Sequence, residues 1–298
     1  MALALFLVWL PLPAVGQTEM ERFRFGVAVA TDEETRARIE PFRLVLEDIL
    51  DRPVDLYLID TLGGLVDALT RGDIDYARLS ASAYAATFTE CSCVEPLVAG
   101  SPDGVSDRFH AILVTRAADP AITLADLKGT ALGVEDAVSI AGYRVPLAGL
   151  AAEGINARTH FSTMVQMRDA VEGMRAVLEG RVAAAFGWST LAGDPQTGYT
   201  AGTLNDLYLA GDGDLDRLAI LWRSAGIPYS AHTVRTDLPD AVKRQLRAGL
   251  IDLKEDVPGA YFSIEPDLTG GFVPVLHSDY RAVLRIYDPA IRTVLSMP

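Results

Sequence analysis

The sequence predicts an α/β protein made of two lobes joined by two crossing strands. Three observations carry that prediction. Short β-rich apolar runs alternate with segments in which leucine and valine recur at helical spacing, the pattern of a largely parallel sheet covered by helices. The alternation ends at His110–Arg116 (HAILVTR) and begins again after it. It closes at Ala231–Arg235, within AHTVRTD, so the second unit is nested inside the first. One lobe then takes residues 23–110 and 231–298, and the other takes 111–230.

Each element has a local reason. Phe23–Val29 (FRFGVAV) reads as the first strand. Thr31 and Asp32 offer a helix cap, and Glu33 and Glu34 suit the positive end of the helix dipole. That helix runs to Leu50, with Pro41 marking a kink or a break. Val54–Ile59 reads as the second strand, Leu62, Leu65, Val66 and Leu69 as one helix face, and Ile74–Leu79 as the third strand. In the second unit, Leu124–Leu127 is a short helix, Ala131–Val134 a strand and Gly142–Ala152 a helix. Val165–Glu179 reads as a helix, Val182–Phe186 as a buried strand, and Gly193–Gly213 as an exposed loop. Leu218–Trp222 is a strand. In the tail, Leu238, Val242, Leu246, Leu250 and Leu253 form one apolar helix stripe packed on the first lobe.

Composition narrows the function. The 298 residues are 50% hydrophobic and 22% charged, which is globular rather than disordered. A formal net charge of −14 argues against nucleic acid as a partner, since that needs a basic face. Residues 1–16 carry no charge, and the run Ala2–Val15 is too short and proline-broken for a span of about 20 residues. Ala14-Val15-Gly16 supplies the small residues of a signal-peptide cleavage site, although the usual basic head is missing. The mature protein is therefore expected in a periplasm. Cys91 and Cys93 either pair locally or present two thiolates to a soft metal or metalloid. His110, His160, His232 and His277 include no H-E-x-x-H pair, and there is no G-x-S-x-G elbow or P-loop. No enzyme activity, cofactor or metal site is expected.

Two stretches carry the chemistry: GDIDYARLSASAY (Gly72–Tyr84) and DLKGTALGVEDAVSIAGY (Asp126–Tyr143). Each reads as a buried strand, a loop of small and hydroxyl residues, and the start of a helix. Free backbone N–H groups there suit an oxygen-rich anion. In open parallel sheets such loops lie beyond the carboxyl ends of the strands, where ligands bind.

Through these stretches, and through FRFGVAV, LEGRVAAAF and ILWRSAGIPYSAHTVRTDLP, the chain resembles the periplasmic phosphonate, phosphite and phosphate binding proteins of ABC importers, the PhnD-like group. The resemblance implies the type II periplasmic-binding-protein fold and a small oxyanion held between the lobes without chemistry. Its partner would be an inner-membrane ABC permease. The alternative is a periplasmic sensor that partners a two-component histidine kinase and takes an oxyanion or a metalloid such as arsenite. The family's Ser-Thr-Ser-Gly grip aligns with Ser139-Ile140-Ala141-Gly142, so two hydroxyls are missing; Tyr143 follows. A family histidine aligns near Arg168. Acids that hold a ligand amine align near Trp188-Ser189 and Tyr229-Ser230, which are not acidic. The resemblance thus implies a cleft lined by Thr31, Ser80, Ser82, Tyr84, Ser139, Gly142, Tyr143, Arg168, Trp188, Ser189, Tyr229 and Ser230. It also implies a preference for anions without an amine.

Overall fold

The computed structural model describes residues 21–117, 122–211 and 214–296 of the chain. The expected signal peptide lies outside the described residues. The first elements are β1 (Phe23–Ala28), α1 (Glu33–Leu50), β2 (Val54–Ile59), α2 (Leu62–Arg71), β3 (Tyr76–Ser80), α3 (Ala81–Cys91), β4 (Val94–Ser101) and β5 (Arg108–Arg116). There follow β6 (Ala131–Val134), α4 (Val145–Ala152), α5 (Ala157–His160), β7 (Thr163–Gln166), α6 (Ala170–Glu179), β8 (Ala184–Ser189), α7 (Thr203–Leu209), β9 (Leu218–Arg223) and the two-residue β10 (Ile227–Pro228). The last are β11 (Ser230–Arg235), α8 (Asp240–Ile251), α9 (Leu253–Asp256), α10 (Pro258–Ile264), β12 (Gly271–Pro274), α11 (Arg281–Leu284) and α12 (Pro289–Ser296).

The strands form two mixed sheets. The first has the order β12-β4-β11-β3-β1-β2; the second has β10-β5-β8-β6-β7, with β9 also on β5. β1, β2 and β3 run parallel, as do β6, β7 and β8, so each sheet aims the carboxyl ends of a parallel set in one direction. The chain leaves the first sheet between β4 and β5. It returns at Tyr229, the single residue between β10 in the second sheet and β11 in the first.

Local chemistry explains the first unit. Phe23 and Phe25 of β1 are fully buried and pack with Tyr76 and, through Phe25, with Phe42 of α1. Next to Phe25, Gly26 leaves room for Ile74 and Leu65: a Cβ there would meet Ile74 Cδ1 at 2.3 Å, so a larger residue would push those side chains aside. Asp32 caps α1 by accepting from the Thr35 backbone, and Ile39, Phe42, Leu46 and Leu50 form its buried face. α1 continues through Pro41 without a break. A proline inside a helix costs about 3 kcal/mol, and that apolar face on both sides of it offsets the cost.

Elsewhere the expectation and the structure part. β4 was not expected; its Pro96 is accommodated opposite a bulge between His232 and Thr233 of β11. β12 also escaped the periodicity, being only four residues long. The expected helix over 165–179 divides into β7 and α6, because Asp169 caps a new helix by accepting from the Glu172 backbone. The expected loop over 193–213 contains α7, which buries Thr203, Leu204 and Leu207. The tail does not stay with the first sheet: α11 touches both α3 and α4, and α12 packs on α4. The cause is α4 itself, buried from Val145 to Leu150 and apolar on every side, so one covering layer does not suffice.

Cys91 and Cys93 form a disulfide at the end of α3. Among the described residues no group of His, Cys, Asp or Glu is arranged to hold a metal, and no helix is long and apolar enough to cross a membrane.

Candidate functional site

A pocket of about 380 Å³ opens at the carboxyl ends of β1 and β3, lined by Val27 to Val29, Ser80, Arg78, Arg38 and Asp267 among others. Arg78 is its best-defined charge. It points from β3 toward Glu265, whose side chain is 0% exposed, and Nη2 and Nε donate to Glu265 Oε2 at 2.7 and 3.2 Å. The other Glu265 oxygen lies 2.9 Å from His232 Nε2, and His232 Nδ1 lies 2.5 Å from the Tyr76 hydroxyl. Tyr76, His232 and Glu265 are all fully buried.

Burial works against charge on Glu265, but the His232 hydrogen bond and the Arg78 guanidinium prevail and hold its carboxyl down at about 2. Burial lowers the His232 pKa despite Glu265 nearby, and burial keeps Tyr76 protonated well above its ordinary range. Tyr76 therefore donates to Nδ1 of a neutral imidazole, whose Nε2–H donates to the Glu265 carboxylate. The result is an arginine locked by one carboxylate oxygen, with Nη1 making no hydrogen bond among the described residues and 36% of its side chain exposed. Arg38, exposed at the same pocket, makes no hydrogen bond or ion pair among the described residues. Sequence reasoning missed both arginines. The available signal was Arg78 itself, a charge at an inward position of the buried strand YARLS, in step with Tyr76 and Ser80.

Around this pocket the predicted residues sort plainly. Ser80 lines it, caps α3 by accepting from Ala83 N at 3.2 Å, and shares a hydrogen bond with half-buried Ser82. Thr31 is exposed and donates to Asp60 at 2.8 Å. Tyr84 does not line the cleft: it is 0% exposed, stacks on Tyr280, and its hydroxyl lies 2.7 Å from His277 Nδ1. Ser230 is likewise consumed by the fold; its hydroxyl accepts from Gly100 N and its carbonyl accepts from Tyr280.

In the second lobe the helix head is already occupied. A π-turn over Ile140–Arg144 precedes α4, and Ser139 caps it by accepting from Gly142 N at 3.0 Å. The same hydroxyl donates to Glu135 Oε2 at 2.5 Å. A Cβ on Gly142 would fall 2.1 Å from that carboxylate oxygen, so the glycine makes room for Glu135 rather than for a ligand. The sequence reading placed no carboxylate in the cleft; Glu135 stands at the carboxyl end of β6 and Asp267 in the first-lobe pocket.

Beside this head lies a second pocket of about 250 Å³, formed by Phe109, Ile140, Ala141, Trp188 and Tyr229. Phe109 meets Trp188 edge-on at 6.0 Å and Tyr229 at 5.2 Å. The Tyr229 hydroxyl is buried without a hydrogen-bond partner among the described residues. The remaining predicted residues are elsewhere. Ser189 is fully buried and accepts from Leu191 N. Tyr143 accepts from Arg158 and lines a different depression toward α12. Arg168 follows β7 with its side chain 74% exposed and paired to Asp169 at 2.8 Å.

Residues 25–280 match the family model described as "ABC transporter, phosphonate, periplasmic substrate-binding protein". The phosphate-import protein PhnD of Mycolicibacterium smegmatis is 24% identical over an alignment of 279 positions that covers 88% of this chain and 84% of that protein. Among solved structures, XAC2383 from Xanthomonas citri bound to ATP aligns with a TM-score of 0.56 and 17% identity, over 92% of this chain and 98% of that one. Transferrin 1 from Manduca sexta aligns with a TM-score of 0.63 and 13% identity, over 92% of this chain and 47% of that one. At these identities the two structures speak to the fold alone.

Proposed function

The chain belongs to the periplasmic substrate-binding proteins of phosphonate ABC transporters, and from that premise we propose that it binds a phosphonate- or phosphate-like oxyanion in the interlobe cleft through Arg78 and Arg38. It has the type II periplasmic-binding-protein fold, two α/β sheets linked by two crossings. The observation that carries the reading is the first-lobe pocket, where two guanidiniums and the Ser80 hydroxyl meet at the carboxyl ends of parallel strands. The mechanism is binding without turnover: the lobes enclose the anion, and the closed form is presented to a membrane permease. Export through residues 1–16 belongs to the same reading, and amino-terminal sequencing of the exported protein tests it. The metalloid-sensing alternative has lost its thiolates, since Cys91 and Cys93 are bonded to each other.

Calorimetric titration with phosphate, phosphite, methylphosphonate and sulfate tests the function. At least one should bind, and Arg78→Met should weaken it about tenfold to a hundredfold, the worth of one charge-assisted hydrogen bond at about 1.5–3 kcal/mol. Arg38→Gln, at an exposed position, serves as a second variant that leaves the buried Glu265 paired. Failure of every oxyanion to bind the folded protein overturns the reading.

A further inference from the structure

Resting on that reading, we propose that the natural ligand is an organic oxyanion with a bulky apolar substituent, the size of a phenyl ring, seated against Phe109, Ile140, Ala141, Trp188 and Tyr229.

The two lobes offer opposite chemistry. The first presents Arg78, Arg38 and Ser80, two guanidiniums against the one carboxylate of Asp267. At the head of the second-lobe helix Ser139 is the one hydroxyl, and it is engaged by both Glu135 and Gly142 N. The next two side chains, Ile140 and Ala141, have no polar atom. An anion brought to that helix head meets the Glu135 carboxylate, a like charge on the spot the backbone dipoles favour. The anionic end of the ligand therefore belongs with the first lobe, and whatever faces the second lobe meets an apolar wall.

That wall borders an open, ring-sized depression. Its volume is about 250 Å³, and an apolar cavity of about 150 Å³ is already enough to take up benzene. Three aromatic side chains border it in tilted and edge-on arrangements, the geometry that also favours a further ring. A methyl group or a bare inorganic anion fills little of this space.

The two pockets are within reach of one molecule. Ser80 of the arginine pocket pairs with Ser230 across β3 and β11, and Tyr229 is the next residue. A paired Cα distance of about 5 Å and one further residue of about 4 Å put Ser80 and Tyr229 within about 10 Å at the backbone.

The experiment compares phosphate, methylphosphonate, phenylphosphonate, 2-phenylethylphosphonate and uncharged benzyl alcohol by calorimetry on the folded protein. The aryl phosphonates should bind at least about tenfold tighter than methylphosphonate, because a ring buries far more apolar surface than a methyl group. Trp188→Ala should collapse that ratio toward one, and the milder Trp188→Phe should keep part of it. If oxyanions bind with no preference for the ring, this inference falls and the transport function stands. If benzyl alcohol binds as tightly as the aryl phosphonates, the anionic half of the inference falls. If no oxyanion of any substituent binds, the functional reading falls and this inference with it.

Discussion

Replacing Glu265 by glutamine removes one charge from the Tyr76–His232–Glu265–Arg78 chain and leaves its shape nearly intact. The wild-type carboxyl lies at about 2 in the folded protein against an ordinary 4.5. At about 1.4 kcal/mol per pH unit, that depression contributes at most about 3 kcal/mol of stability at neutral pH, since part of it belongs to a charged His232 and a neutral His232 supplies only the hydrogen bond. Glu265 is fully buried, so solvent screening does not discount the figure. Breaking a buried pair by removing one partner costs about 3–5 kcal/mol, which agrees. The sign follows from the direction. A depressed carboxyl stabilises the fold above pH 4.5, and that contribution disappears as pH falls toward 2. Urea unfolding of wild type and Glu265→Gln at pH 7 should differ by up to about 3 kcal/mol, at pH 3 by roughly half the pH 7 value, and near pH 2 hardly at all. A gap that stays constant across this range, or one below about 0.5 kcal/mol at pH 7, would refute the assignment of an ionised, doubly bonded Glu265.

Further outcomes follow from neighbouring features. His232, held neutral by burial, binds fewer protons folded than unfolded, so wild-type stability should begin to fall as pH drops below about 6.5; a flat profile between pH 7 and 5 would contradict this. Glu135→Gln removes a like charge from the cleft and should raise oxyanion affinity by about twofold to tenfold at low salt, fading at high salt. Unchanged affinity at low salt would place Glu135 outside the ligand's field. Replacing Cys91 and Cys93 together by serine opens a very short loop and should lower stability by about 1–2 kcal/mol with ligand affinity unchanged. Lost binding would return the pair to the site.

The sequence made the architecture legible where apolar periodicity was long and unmixed. FRFGVAV and HAILVTR each have one interpretation, and the nesting of one unit in the other follows from their order. Short or polar elements were illegible: β12 has four residues, and α7 is held by three buried side chains among glycine, aspartate and threonine. The site was legible in its location and less so in its members. Ser80 and Ser139 were legible as helix caps because a hydroxyl before a helix is a local signal. What the hydroxyl of Ser139 bonds to depends on a carboxylate four residues upstream. Tyr84 and Ser230 misled because a polar atom near a cleft and one buried in the fold look alike in one dimension; only their partners His277 and Gly100 tell them apart. Arg78 was the reverse case. Its charge within a strand was visible, but the residue that makes it tolerable, Glu265, is 187 positions away.

The return crossing at Tyr229 is one residue long, and the same residue forms part of the aromatic pocket. In the lobe closure proposed above, part of the rotation falls on the few backbone torsions at Tyr229, whose side chain is a wall of the cavity. A group lodged against that ring would then act as a shim in the joint: its thickness would help set the angle at which the lobes come to rest. Selectivity and closure are then two readings of one joint. A substitution at this position made to admit a larger substituent would also reset the angle of the surface that a transport partner meets.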